Sequence, residues 1–342
     1  MNFPGLDSAW TLAYRFGHAL RVVQTWSLDE TRAALGEGEK VLVVATTALG
    51  DSLLTTPLVQ TLSERLGRDR VSLLVKAPYA ELYQDDPRVR HVFTVRGKYR
   101  WSSLEEKLDA DPHGIALLAN MTEPDLVPYL WRCGVRGFLR YRSRWTRFPR
   151  LDGQHLHAAP ARSRRLRHRS RHRQQPRHGR RARARPTTHR LYLPHLHTAP
   201  GKRENLVLIH PGASVEFKRW PVENWARLGD ALADRFKCAI AITGDRSEHS
   251  LAAHIAATMR ARPEVLAGKL SLVELARTQG RALAFLSGDT GPYHLAVAVG
   301  CPTLTLFAPT DRGSSLEACG PHQAPRTIIA HSRRSSSANR SR

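Results

Sequence analysis

The chain has 342 residues and 41% hydrophobic content, enough for two domains with a core each. Its formal net charge of +23 would suggest a nucleic-acid or membrane-surface protein. However, residues 153–203 carry 15 Lys/Arg and no acid, and residues 322–342 carry 5 and none. The remainder is nearly balanced, which excludes a basic face as a property of its foldable parts. Cys133, Cys238, Cys301 and Cys319 are scattered without a C-x-x-C pair. That excludes a disulfide framework and a zinc ribbon, and it fits a reducing cytosol.

Residues 1–39 read as an N-terminal extension without the cleavage site and long apolar core of a signal peptide. No run approaches the ~20 apolar residues that span a bilayer. Residues 9–26 read as a basic amphipathic helix with Trp10, Leu12, Phe16, Leu20 and Trp26 on its apolar side. Such a helix suits either a membrane surface or packing on the first domain.

The first domain is expected over 40–152. Val41 to Val44 is a β-branched run, and a small-residue loop from Thr46 to Gly50 leads into an amphipathic helix. Val71–Val75, His91–Val95 and Ile115–Leu118 are further strand candidates separated by helical or loop segments. Strands alternating with helices mean a parallel, doubly wound α/β sheet, whose ligands sit beyond the carboxyl ends of the strands. Thr46 to Asp51 falls at such an end. Asp51, before Ser-Leu-Leu, would serve as a helix cap or as a functional carboxylate.

From Val135 to Arg150, arginines including Arg142 and Arg144 interleave with Phe138, Tyr141, Trp145 and Phe148. That composition suits single-stranded nucleic acid, an acidic acceptor, or a solvated strand and loop. Residues 153–203 are Arg-, His- and Pro-rich with almost no apolar content, and are expected to be a disordered or aberrant linker. An out-of-frame reading of GC-rich coding sequence would produce such a composition, with the frame restored before Asn205. An Arg-rich arm for RNA or anionic lipid is the competing reading.

The second domain is expected over 204–321. Leu206–Ile209 reads as a buried strand, followed by the loop HPGASVEFKRWP and a helix from about Val222. Lys218 and Arg219 beside a strand end make an anion site, and Ser214 offers a hydroxyl to the same ligand. Trp220 and Trp225 read as core. Ala239–Thr243 is a strand, and a helix runs through Ser250 to Met259. Ala282–Leu286 is a buried strand that breaks at Ser287-Gly288-Asp289 and opens a helix with Pro292 in its first turn. The free N–H groups there favour an anion, Gly291 permits close approach, and His294 lies one turn from Thr290. Thr303–Phe307 reads as the next strand. Residues 322–342 are expected to be a disordered basic tail.

Three strings in this order resemble glycosyltransferase family 9, the bacterial heptosyltransferases. They are T-x-x-L-G-D-x-x-x-x-x-P (Thr46, Leu49, Gly50, Asp51, Pro57), HPGAS with KRWP (His210 to Pro221), and GDTGPYHLA with GCPTLTLFAPTD (Gly288 to Asp311). The A-G-x-x-[ST]-L-x-E-L string at Ala267 to Leu275 is a weaker fourth. The resemblance implies two Rossmann-like domains facing across a cleft, the GT-B architecture. It implies an inverting transfer of heptose from a nucleotide-diphosphate donor such as ADP-heptose to a lipopolysaccharide core acceptor.

By the same resemblance, Asp51 is the general base, and Thr47, Gly50, Arg142 and Arg144 lie on the acceptor side. Ser214, Lys218, Glu248, Asp289, Thr290, Gly291 and His294 hold the donor, with Lys218 also catalytic. No cofactor or metal is expected, since Lys218 and backbone N–H groups meet the leaving diphosphate and no D-x-D metal motif is read in the sequence. The implied partners are the nucleotide-sugar donor and a lipid A/core acceptor at the cytoplasmic face of the inner membrane. The chain would act as a monomer without nucleic acid. A frame-disrupted, inactive member and an Arg-rich nucleic-acid or lipid binder are the alternatives.

Overall fold

The computed structural model describes residues 25–96, 102–120, 126–141, 155–156, 190–198, 201, 203–213, 216–307 and 327–331. In the N-terminal half, α1 (Leu28–Gly36) starts at Ser27 with a capping box closed by Glu30. There follow β1 (Val41–Ala45), α2 (Leu49–Leu53), α3 (Thr56–Leu66), β2 (Val71–Lys76), a 3-10 turn (Ala77–Leu82) and β3 (Val92–Val95). The half continues with α4 (Ser102–Ala110), β4 (Ile115–Asn120), α5 (Leu126–Arg132), β5 (Gly137–Tyr141) and β6 (His155–Leu156).

The C-terminal half runs β7 (Glu204–His210), α6 (Val222–Phe236), β8 (Ala239–Ile242), α7 (His249–Thr258) and β9 (Glu264–Val265). It continues with α8 (Leu272–Arg281), β10 (Ala282–Gly288), α9 (Gly291–Ala298), β11 (Thr303–Phe307) and β12 (Thr327–His331).

Each half is a six-stranded parallel sheet, with strand order β3-β2-β1-β4-β5-β6 in the first and β12-β11-β10-β7-β8-β9 in the second. Both follow the 3-2-1-4-5-6 order of a doubly wound sheet. The chain direction across the sheet reverses between β1 and β4 and again between β7 and β10. In register, Val43 sits opposite Leu73 and Leu117, and Ser287 sits opposite His210. The continuous apolar runs arise because both sheet faces are covered. Val41, Val43 and Ala45 face one core cluster while Leu42 and Val44 face the other.

The first of these clusters is continuous between the halves, joining Val43 and Leu49 to Leu208, Phe285 and Tyr293. Trp225 is 1% exposed and meets Trp220 edge-on at 5.1 Å, which makes this aromatic pair core as expected.

Two expected boundaries change. The disordered or aberrant segment 153–203 is not structureless at its end, because Arg190 to Thr198 forms a strap between the halves. Tyr192 N donates to Thr56 Oγ1 (3.2 Å), Leu193 N to the Ala298 carbonyl (3.2 Å) and Thr198 N to the Val299 carbonyl (3.3 Å). Leu193 and Leu196 are buried, so apolar residues anchor a stretch that composition alone assigns to disorder. The tail over 322–342 likewise contains β12, which pairs in parallel with β11 from Thr303↔Thr327 to Phe307↔His331. Within residues 9–26, only Trp26 and its neighbour Thr25 lie among the described residues. Trp26 N donates to the Arg136 carbonyl (2.8 Å), and its ring packs on the first core.

Candidate functional site

Both switch points bring a strand end and a short-residue loop to the contact between the halves. β1 ends at Ala45, and the loop Thr46 to Ala48 turns directly into α2. Asp51 is the third residue of α2, whose N-cap is Ala48 without a side-chain cap. The capping alternative for Asp51 therefore fails on position, while the helix N-terminus still favours its negative charge. Asp51 is half-buried.

Opposite stands α9, with Thr290 as N-cap and Pro292 in its first turn, where the missing N–H costs no helical hydrogen bond. The two helix starts touch. A β-carbon on Gly50 would stand 2.7 Å from His294 Cδ2, and one on Gly291 would stand 3.0 Å from Leu49 Cβ. Each glycine is thus required by its partner across the interface rather than by its own backbone.

His294 is 5% exposed and lies where the carboxylates of Asp289 and Asp51 both act on it. Burial depresses its basicity, and the two carboxylates only partly offset that, so the imidazole is neutral near pH 7. Its ring centroid is 4.8 Å from that of Tyr293.

Lys218 closes the 3-10 turn Glu216–Lys218 after β7 and reaches across to α9, its Nζ 2.9 Å from Asp289 Oδ2. The cation expected to form an anion site with Arg219 is therefore already paired within the chain. Arg219 donates to the Ala213 carbonyl at 3.3 Å. Two buried hydroxyls, Thr47 Oγ1 on the first half and Thr290 Oγ1 on the second, have no hydrogen-bond partner among the described residues.

Glu248 ends the 3-10 turn Arg246–Glu248 after β8 and closes a capping box with Asp245, accepting from Asp245 N at 2.9 Å. Its carboxylate lies against Gly212 and Gly244, beside the end of β7. The interface thus gathers Thr47, Gly50, Asp51, Asp289, Thr290, Gly291 and His294, with Lys218 tied to Asp289. Glu248 stands one strand further along. Ser214, Arg142 and Arg144 lie outside the described residues.

Two contacts near the interface carry no local sequence signal. His210, the first residue of the HPGAS string, is a buried polar residue at the switch point, with Nε2 3.9 Å from Glu248 Oε2. The carboxylate of Glu81 accepts from Leu272 N at 2.8 Å, joining the first half to the start of α8. No local signal announces a contact across 191 positions. The expectation that the sequence holds no D-x-D string is corrected by Asp109-Ala110-Asp111. Its Asp111 pairs with Lys40 and, at 3.3 Å, with Arg90, just before β4 and at the opposite sheet end from Asp51. Burial opposes ionisation of Asp111, but Lys40, His113 and Arg90 outweigh it and hold the carboxyl below its usual range.

Two doubly wound sheets meet here at their strand ends, with Lys218 and the start of α9 on one side and Asp51 on the other, and it is at such ends that sheets of this kind hold ligands. Residues 166–341, slightly over half the chain, match the profile of glycosyltransferase family 9 (heptosyltransferase), and the chain belongs to that family.

Lipopolysaccharide heptosyltransferase 1 of Pseudomonas aeruginosa is 33% identical over 108 residues, which is 32% of this chain and 30% of the relative. Lipopolysaccharide heptosyltransferase 1 of Escherichia coli K12 is 35% identical over 122 residues, 36% of this chain and 37% of the relative. The matched region spans about a third of the length of these curated relatives. The structure of E. coli heptosyltransferase WaaC with ADP superposes with a TM-score of 0.65 at 20% identity, covering 86% of this chain and 93% of that one. That likeness confirms the fold of two Rossmann-like domains in the GT-B arrangement.

Proposed function

We propose that the chain transfers a heptose or related sugar, with inversion, from a nucleotide-diphosphate donor such as ADP-heptose to a lipopolysaccharide core acceptor. The observation that carries this reading is the packing of buried His294 against Gly50, the residue before Asp51, with Lys218 bound to Asp289 just ahead of the same helix. It supports a reading in which Asp51 serves the acceptor side and Lys218 the donor side of one interface. Family membership supports the same reading.

In the proposed reaction Asp51 takes the proton of the acceptor hydroxyl as that oxygen attacks the anomeric carbon, and the bond from that carbon to the diphosphate breaks. The negative charge that develops on the departing diphosphate is met by Lys218 and by the N–H groups at the start of α9, and Ser214 adds a hydroxyl donor. Asp289 holds Lys218 in place before the donor arrives. Neutral His294 fills the seam between α2 and α9, keeping water from the reacting atoms and offering a hydrogen bond without adding charge.

Charge stabilisation of this kind needs no metal ion, so we propose a metal-independent enzyme without a cofactor, acting as a monomer. The acceptor carries lipid, which places the enzyme on the cytoplasmic face of the inner membrane with no role for nucleic acid. Among the described residues no helix is long and apolar enough to cross a membrane. Arg142 and Arg144 are proposed to meet the acidic acceptor. Incubating the full chain with ADP-heptose and a heptose-less lipopolysaccharide core, then weighing the acceptor by mass spectrometry, tests the proposal. A gain of one heptose with release of ADP is expected, in the presence of a chelator as in its absence. An unchanged acceptor mass would overturn it.

A further inference from the structure

Tyr83 takes no part in the chemistry above, yet it is fully buried and its hydroxyl lies 3.0 Å from Oγ of Ser52, the residue after Asp51. Ser52 Oγ is itself 2.8 Å from the Leu49 carbonyl, which can only accept, so Ser52 donates to Leu49. The single proton of that hydroxyl is thereby used, and the phenol donates to Ser52 Oγ. Burial pushes the Tyr83 phenol above its usual range, so the proton this bond needs stays in place. Two hydrogen bonds thus run in series from Tyr83 through Ser52 to the Leu49 carbonyl. Packing alone would be served as well by phenylalanine, which brings no polar atom to satisfy.

The series grips the first turn of α2, the five-residue helix that carries Asp51. A helix so short has little stability of its own, and its N-cap Ala48 supplies no side-chain bond, so contacts from outside set its direction. Leu49 and Ser52 bracket Gly50 and Asp51, and both are tied to one phenol. Leu49 is also the residue packed against Gly291 at the start of α9.

The segment bearing Tyr83 is fixed in turn. It follows the 3-10 turn Ala77–Leu82, where Glu81 accepts from Leu272 N of the C-terminal half at 2.8 Å. The Leu82 carbonyl lies 3.0 Å from His195 Nε2 of the strap, and the Tyr83 carbonyl accepts from Asp86 N at 3.1 Å. Three successive residues therefore reach three parts of the molecule: Glu81 to α8, Leu82 to the strap and Tyr83 to α2. The phenol stands in a frame set by both halves, and α2 is held from that frame.

We infer that Tyr83 is a positioning residue for the proton transfer: its hydroxyl, acting through Ser52, sets the first turn of α2 so that the Asp51 carboxylate is aimed at the acceptor hydroxyl. The inference rests on the reading of Asp51 as the base. Tyr83 touches neither substrate in this scheme, so its effect falls on turnover rather than on binding.

Tyr83→Phe keeps the ring and removes the hydroxyl. The test is heptose transfer by the full chain at saturating ADP-heptose and heptose-less lipopolysaccharide core, with calorimetric ADP binding and a thermal melt on each variant. kcat should fall by about three- to tenfold, the scale of one hydrogen bond, with ADP affinity and KM for the core unchanged. Ser52→Ala breaks the same series at its middle and should give a similar fall, and the double variant should be no slower than the slower single one. Should either single variant not fold, the double variant, which leaves neither hydroxyl behind, takes its place. Added to Asp51→Asn, Tyr83→Phe should lower the residual turnover no further, because no base remains to be aimed.

Unchanged kcat in folded Tyr83→Phe, or the same fold-loss on top of Asp51→Asn, would make the hydroxyl merely structural and overturn the inference while the base reading stands. A fall in ADP affinity as large as the fall in kcat would overturn it as well. Wild-type protein that transfers no heptose, or Asp51→Asn that transfers as fast as wild type, would overturn the base reading and this inference with it.

Discussion

Gly50 and His294 occupy one space: the imidazole of the C-terminal half fills the position a β-carbon would take on the glycine of the N-terminal half, 2.7 Å from Cδ2. The glycine has no left-handed φ to justify it, so the requirement comes from across the interface. The alignment of the proposed base with the proposed donor site depends on this contact, since Asp51 follows Gly50 directly. Gly50→Ala is expected to push α2 and α9 apart, at a cost of about 1–3 kcal/mol typical of overpacking. Turnover in the heptose-transfer assay should fall by tenfold or more with ADP affinity little changed. Equal turnover would show that the two helix starts need not touch.

Lys218 is the one donor-site cation that the described residues place at the start of α9, and it is held there by Asp289. Lys218→Met should weaken ADP by about 1.5–3 kcal/mol, the value of a charge-assisted hydrogen bond, measured by calorimetry. AMP and ADP should then bind more nearly alike, because the loss falls on the diphosphate. Unaltered ADP affinity would remove Lys218 from the site.

The strap is anchored by a buried ion pair. Arg88 Nη2 meets Asp86 Oδ2 at 2.6 Å and donates to the Tyr192 carbonyl at 2.8 Å, with His195 Nε2 3.0 Å from the Leu82 carbonyl close by. Arg88→Met leaves Asp86 buried without its partner, and such losses cost about 3–5 kcal/mol. Chemical denaturation should show that drop, and limited proteolysis should cut the strap near Tyr192 sooner than in wild type. A loss under 1 kcal/mol would mean that the ion pair does not anchor the strap, leaving it to buried Leu193 and Leu196 and the strap's own hydrogen bonds.

How far the chain could be read beforehand follows from the same contacts. The parallel strands were legible because sheets covered on both faces demand unbroken apolar runs, as at Val41–Val44 and Thr303–Phe307. The positions of Asp51, Lys218 and Asp289 were legible as loop residues at strand ends. The β12 strand was not, because Thr-Ile-Ile-Ala-His is short and set among basic residues, and only its pairing with β11 makes it a strand. The strap was missed because Leu191, Leu193 and Leu196 follow neither a helical nor a strict strand period beside a run of arginines. The closeness of His210 to Glu248, and of Glu81 to Leu272, depends on how strand ends and domains come together, which local pattern does not encode.

Four histidines, His113, His197, His210 and His294, are held below their usual basicity, mainly by burial. On unfolding each would regain an ordinary imidazole that binds a proton below about pH 6.5. The unfolded chain therefore takes up more protons as pH falls through that value, and stability rises with pH across the window. Melting temperature should be flat from pH 8 to 7 and should decline between pH 6.5 and 5, before the carboxylates begin to protonate. A melting temperature that rises on acidification over that range would show that these rings are charged in the fold.

In the proposed mechanism Asp51 acts as the base while the C-terminal half alone holds the donor. Asp51→Asn keeps the size of the side chain and removes its ability to accept a proton. Paired measurements of heptose transfer and ADP binding on this variant test the claim most directly. The expected result is a fall in turnover of about 10²–10⁴-fold, the range for loss of a general base, with ADP affinity unchanged. Unimpaired transfer, or loss of transfer and ADP binding together, would contradict it.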